Sequence, residues 1–239
     1  KLFKVTAMRH IPIFTFINKL DREARDPFEL LDQLEKEFGI GTYPVNWPIG
    51  SGADFKGVFD RDRRQILTFN EFHRGQDKLK AIECDITDTE KLDELIGEYS
   101  RRDLVDQIEL LDGASFDFDL EKVRKGELTP VFFGSALTNF GVEPFLENFL
   151  KMTTAPLARN TKEGEVVPES ENFSAFVFKI QANMNKAHRD RMTFLRICSG
   201  KFERDKEYYH VQGKKSLRLS QPQQLMADSR QIVNEAYAG

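Results

Sequence analysis

Residues 13–21 read Ile-Phe-Thr-Phe-Ile-Asn-Lys-Leu-Asp, an apolar, β-branched run that stops at an amide, an ammonium and a carboxylate. Ile13–Ile17 has the composition of a strand buried on both faces, the kind found in a parallel sheet. Five residues further on, Asp26-Pro27-Phe28-Glu29 is a helix start, with Asp26 as N-cap, Pro27 at the first helical position and Glu29 reaching back as in a capping box. Phe28, Leu31, Leu34 and Phe38 then form a helical stripe that Gly39 ends. Upstream, Leu2, Val5 and Met8 keep helical spacing without a cap, so the segment reads as the tail of a helix. Helix, strand, helix is the grammar of an α/β sheet.

Working outward, residues 42–85 carry turn residues (Gly50, Gly52, Gly57, Asn70, Gly75) between short strands such as Gly57–Asp60 and Gln65–Phe69. Helical patterns return at Thr89–Ile96, Arg102–Leu111 and Leu120–Lys125, closed by Gly97, Gly113 and Gly126. The region from about 42 to 126 reads as a subdomain inserted into the α/β unit. Pro130–Phe133 is a second buried strand, followed by Gly134-Ser135-Ala136-Leu137 and an apolar-faced helix over Val142–Met152. The expected division is an α/β domain over 1–157, a polar, Pro/Gly-punctuated linker over 158–172, and an all-β module over 173–239 with the short runs "FSAFVFKIQ", "RMTFLRICSG" and "KEYYHVQG".

Bulk composition bounds the class. The 239 residues are 40% hydrophobic and 31% charged, which is ordinary globular usage. No apolar run approaches the roughly 20 residues of a membrane span and no signal-peptide pattern opens the chain, so a cytoplasmic protein without a membrane partner is expected. Cys84 and Cys198 are far apart and expected as free thiols, and the four histidines are never at ligand spacing, so no metal site is expected. The net charge of −4 conceals an asymmetry: residues 173–239 hold 12 Lys and Arg against 6 Asp and Glu, and the rest is acidic. Lys186, Arg189 and Arg191 cluster in one stretch, and Lys201, Arg204 and Lys206 in the next, which points to a polyanionic partner. His188-Arg189-Asp190 spells a kinase tripeptide, but Leu195 stands where that motif needs Asn.

In an open α/β sheet, ligands sit beyond the carboxyl ends of the strands. Two strands here end in polar or small tetrapeptides, Asn18–Asp21 and Gly134–Leu137. Guanine offers N1–H and an exocyclic amine on one edge, which the Asp21 carboxylate can accept together. Asn18 can meet the O6/N7 side or tie neighbouring loops together, the Lys19 stem can lie along the base, and a backbone N–H at Ala136 can donate to O6. Adenine would leave a donor and the carboxylate unpaired, so the pair of motifs acts as a guanine filter.

These residues resemble the translational GTPases. Asn-Lys-Leu-Asp resembles the family's fourth guanine-nucleotide motif and Gly-Ser-Ala-Leu the fifth. "TPVFFGSALTNFGVEPFLENFL" and "WPIGSGADFKGVFD" are similar to stretches of elongation factor G and its relatives, including the extra subdomain of their GTPase domain. "NKLDREARDPFELLDQLE" and "FVFKIQANMNKAHRDRMTFLRICSGKF" are most similar to the branch acting in translation termination. The resemblance implies a GTP- and GDP-binding protein, with Mg2+ in the intact parent, that hydrolyses GTP on the ribosome and stimulates departure of class I release factors. It assigns the guanine to Asn18, Lys19, Asp21 and Ser135–Leu137, and ribosomal RNA and proteins, not DNA, to the β-barrel module. The alternatives are a translocase or ribosome-protection relative, or a non-enzymatic ribosome-binding module. The sequence is read as having no G-x-x-x-x-G-K-[ST] loop to cradle phosphates and no D-x-x-G to hold the γ-phosphate side. It therefore reads as a piece of a GTPase cut in mid-domain, inactive alone, with a barrel truncated at its C-terminal end.

Overall fold

The structure is a computed structural model that describes residues 2–8, 10–68, 80–114, 117–182, 191–226 and 229–239. The chain divides into two units, residues 1–153 and 154–239.

In the first unit, α1 (Leu2–Ala7) and β1 (Thr15–Ile17) are followed by α2 (Pro27–Phe38) and β2 (Gly41–Pro44). Then come β3 (Asn46–Ile49), β4 (Gly57–Asp60), β5 (Gln65–Thr68), β6 (Lys80–Glu83), α3 (Thr89–Ile96), α4 (Glu98–Ala114), α5 (Leu120–Lys125), β7 (Leu128–Phe133) and α6 (Val142–Met152). The order β1-β7-β2 makes a parallel sheet, with Ile17 opposite Phe133 and Pro44 opposite Val131. β7 is central and buried throughout because its alternate side chains feed two cores. Val131 and Phe133 join Trp47, Leu20 and Phe140, whereas Leu128 and Phe132 join Tyr43, Val45 and Met152. The insertion is an antiparallel sheet, β3-β4-β5-β6, followed by α3 and α4.

Several boundaries differ from the sequence reading, each for a local reason. Thr42–Pro44, expected inside the insertion, belongs to β2 and pairs in parallel with β7, so the departure from the sheet comes after Pro44; so short a strand, with a proline in it, carries too little periodicity to show this. Helix α4 continues through Gly113 to Ala114 instead of closing at that glycine. Asp26 caps α2 by accepting from the Phe28 and Glu29 N–H groups, but the Glu29 carboxylate takes the Arg25 guanidinium (3.4 Å) instead of reaching back. Phe38 is exposed beside Phe3, whose ring centroid lies 4.5 Å away, and does not complete the buried stripe. Both cysteines are free, Cys84 being buried.

The second unit is all-β and antiparallel: β8 (Arg159–Thr161), β9 (Gly164–Val166), β10 (Ser174–Ala182), β11 (Arg191–Ser199), β12 (Lys201–Glu203), β13 (Glu207–His210), β14 (Lys215–Arg218), β15 (Gln223–Met226), β16 (Ser229–Ile232) and β17 (Glu235–Tyr237). Strands pair as hairpins, and β12 pairs over a longer span with β17. The supposed linker thus contains the hairpin β8–β9, closed where the Thr161 hydroxyl donates to Gly164 O (2.7 Å). Phe173, Phe202 and Tyr208 form its aromatic centre, with Phe173 and Tyr208 ring centroids 4.5 Å apart.

Candidate guanine-binding site

Because β1 and β7 are parallel neighbours in register, Asn18–Asp21 and Gly134–Leu137 leave the sheet side by side. The two loops are tied four times. Gly134 N–H donates to Ile17 O (3.0 Å) and Leu20 N–H to Gly134 O (3.2 Å). Ser135 Oγ donates to Asp21 Oδ1 (2.5 Å), and Ala136 N–H donates to Asn18 Oδ1 (2.8 Å). Ser135 is fully buried, Asp21 half-buried, and Asn18, Lys19, Ala136 and Leu137 exposed. The structure therefore brings all six expected residues to one end of the sheet.

One detail corrects the sequence reading. The Ala136 N–H assigned to O6 is directed at Asn18 Oδ1, so Asn18 ties the loops, the second of the two roles open to it. An N–H can be shared between two acceptors, and O6 recognition requires that sharing or a turn of the amide. Lys19, exposed at the strand end, sits at φ 73°, with its N–H donating to Asn18 Oδ1 (2.7 Å).

Two supporting residues escaped the sequence reading. Leu20 is 2% exposed and anchors the loop in the main core. Asn46, 3% exposed, accepts from Phe133 N–H (2.7 Å) and donates to Phe133 O (3.2 Å), satisfying the β2 side of β7 past the last β2 pair and immediately before Gly134. Apolar periodicity marks Leu20 only as one more leucine, and nothing local marks Asn46, whose partner is 87 positions away. Gly134 allows close passage: a Cβ there would lie 2.5 Å from Phe140 O and 2.7 Å from the Phe16 ring. A literal D-x-x-G, Asp54–Gly57, does occur, but it forms the turn between β3 and β4 and not the end of a parallel strand. Among the described residues, no group of three or more His, Cys, Asp or Glu is placed to hold a metal.

Of the expected ribosome-contacting cations, Lys186 and Arg189 lie outside the described residues, while Arg191 opens β11, exposed and opposite Ala182. Lys201 belongs to β12, and Lys201, Arg204 and Lys206 are paired with Glu235, Asp205 and Glu203. These three are partly neutralised within the unit and do not form an open basic loop.

The family model of the elongation factor Tu GTP binding domain matches residues 1–155. The chain belongs to this GTP-binding family. Residues 172–239 match elongation factor G domain 2, so the α/β unit belongs to a GTP-binding domain and the all-β unit to the β-barrel domain that follows it in translational GTPases. Among the relatives similar over the whole chain are proteins named peptide chain release factor 3. Release factor 3 of Symbiobacterium thermophilum is 54% identical over 239 residues, 100% of this chain and 45% of the relative. Those of Gloeobacter violaceus and Synechococcus elongatus are 50% and 49% identical, again over 100% of this chain and 45% and 43% of theirs. The chain spans less than half the length of these relatives. The crystal structure of ttk003000868 from Thermus thermophilus superposes with a TM-score of 0.64 over 99% of this chain and 34% of that one, at 21% identity, a likeness of fold alone.

Proposed function

We propose that this chain is the guanine-recognising part of a translational GTPase that acts in termination, hydrolysing GTP to GDP and phosphate on the ribosome and so stimulating departure of class I release factors. The observation that carries the reading is the pair of cross-tied loops, in which Ser135 fixes the Asp21 carboxylate and Asn18 fixes the Ala136 amide at the ends of adjacent parallel strands. A carboxylate held this way accepts guanine N1–H and the exocyclic amine, and rejects adenine by leaving polar groups unpaired. The release factor 3 relatives, alike over the whole chain at 54% and 49% identity, favour the termination role over the translocase and ribosome-protection alternatives. Hydrolysis needs a phosphate-cradling loop and Mg2+ beside it, and this sequence contains no G-x-x-x-x-G-K-[ST]. The residues of this stretch act on the base, and the stretch alone is expected to be without turnover. Ribosomal RNA and proteins are the partners, in the cytoplasm; among the described residues no helix is long and apolar enough to cross a membrane.

The test uses the full-length protein. Asp21→Asn should weaken GTP and favour xanthosine triphosphate, because an amide offers a donor where guanine also offers one. With the variant, removal of a class I release factor from terminated ribosomes should proceed with the xanthine nucleotide and fail with GTP. An unchanged GTP preference rejects the guanine assignment, and a switched preference without any effect on release factor departure rejects the termination role.

A further inference from the structure

Behind the two base loops runs the turn that joins β3 to β4, and it touches both. Gly52 N–H donates to Leu20 O (2.9 Å) and to Arg22 O (3.1 Å), the carbonyls on either side of Asp21. The stretch it grips is itself a tight turn, closed by Arg22 N–H on Lys19 O (3.0 Å). Gly52 has φ +61°, which strains any side chain, and a Cβ there would lie 3.1 Å from Glu23 N and 3.4 Å from Arg22 C, so the 22–23 backbone would have to give by a few tenths of an ångström. From the same turn, the Phe55 ring meets Phe140 edge to face at 5.1 Å. Phe140 in turn exchanges two backbone hydrogen bonds with Ser135, of 3.0 and 2.8 Å. One short segment of the insertion thus holds the Asp21 turn by its backbone and the Ser135 loop by a ring contact.

Resting on the guanine reading above, we infer that the Gly52–Phe55 turn is a positioning device for base recognition. Gly52 sets the aim of the Asp21 carboxylate, and Phe55 sets the loop whose serine holds that carboxylate. Neither residue reaches the base. A side chain at position 52 pushes on the 22–23 backbone and shifts Asp21 relative to Ser135, so the loss falls on the contact with the exocyclic amine of guanine.

Inosine diphosphate lacks only that amine, so the ratio of its Kd to that of GDP reads the aim of Asp21. The ratio is measured by competition binding on the full-length protein and on Asp21→Asn, Gly52→Ala, Phe55→Leu and Gly39→Ala. Gly39 also sits at positive φ (+66°) but has nothing within 4 Å of a Cβ, so it imposes the backbone penalty away from the base loops. Asp21→Asn should abolish the preference for GDP. Gly52→Ala should cut it about tenfold, since ångström-scale misplacement of a recognising group costs up to roughly a hundredfold. Phe55→Leu should cut it less, and Gly39→Ala should leave it unchanged. Preservation of the wild-type ratio in folded Gly52→Ala and in Phe55→Leu, with Asp21→Asn abolishing it, overturns the positioning role alone. If Gly52→Ala does not fold, Phe55→Leu decides. An unchanged ratio in Asp21→Asn overturns the guanine reading and this inference with it.

Discussion

Asn46 shows how much a single buried amide can decide. It accepts from and donates to the backbone of Phe133, the last residue before the Gly134–Leu137 loop, where neither partner can turn to water. Asn46→Leu keeps the γ-branched shape but strands both backbone groups, and each should cost about 1–3 kcal/mol. A lowered denaturation midpoint together with faster hydrogen exchange at the Phe133 amide is the expected result; an unchanged exchange rate would show that the amide is dispensable. Tyr43 offers a second test, by pH. Burial, then the hydrogen bond it donates to Asp62 (2.8 Å), push its phenol up from 10.0 to about 12. The folded state therefore holds this proton more tightly than the unfolded chain. The group's contribution to stability is fully present below pH 10 and is lost as pH rises from 10 to about 12. Tyr43→Phe should flatten that alkaline loss in denaturation series run across the window. Asn18, Lys19, Asp21 and Ser135–Leu137 were legible because polar groups at the ends of apolar runs stand out along the chain. Asn46 and Gly52 were not, because their partners, Phe133 and the Asp21 turn, are distant in sequence and reached through backbone atoms that leave no mark on composition.

Helix α2 shows what a local signal can and cannot carry. Its start was readable since cap, proline and apolar stripe lie within one turn of each other, and the structure has Asp26 accepting from Phe28 N–H (2.8 Å) and Glu29 N–H (3.1 Å). Asp26→Ala should cost about 0.5–2 kcal/mol and speed exchange of those two amides, while Asp26→Asn, which keeps an acceptor, should restore both. Equal behaviour of the two variants would mean that the cap contributes nothing. Phe28 then packs on Trp47 with centroids 4.7 Å apart, so the helix presses the insertion onto the parallel sheet from its first turn. The elements misread were those defined by pairing and not by composition. β2 is a strand because β7 lies beside it, and the β8–β9 hairpin forms from residues polar enough to pass for a tether. α4 passes Gly113 because a glycine ends a helix where it adopts the left-handed conformation itself, and Gly113, unlike Gly39 and Gly126, is not at positive φ.

At the scale of the molecule the two units carry different charge, and the all-β unit holds the excess of cations. Net charge alone overstates what a polyanion could meet there, because Lys206 reaches Glu203 (2.6 Å), Arg204 reaches Asp205 (3.5 Å) and Lys201 pairs with Glu235. The Lys206 hydrogen bond, more than any other neighbour, holds Glu203 below the usual carboxylate range, and the same bond raises the Lys206 ammonium. A cation already matched to a carboxylate adds little to a phosphate surface, whereas one that displaces counterions from RNA makes binding salt-dependent. The proposed ribosome contact through Lys186, Arg189 and Arg191 is therefore testable against an internal control. Replacing these three by Ala in the full-length protein should weaken ribosome binding and reduce the dependence of log K on log salt by about 0.7–0.9 for each phosphate that is no longer neutralised. Removing an internal pair, Glu203→Ala with Lys206→Ala, changes no net charge and should leave the slope as it was. Affinity measured across a salt series distinguishes the cases: a shallower slope in the triple variant alone supports contact with phosphates at 186–191, and equal slopes in all three proteins would show that this stretch is a solvated surface.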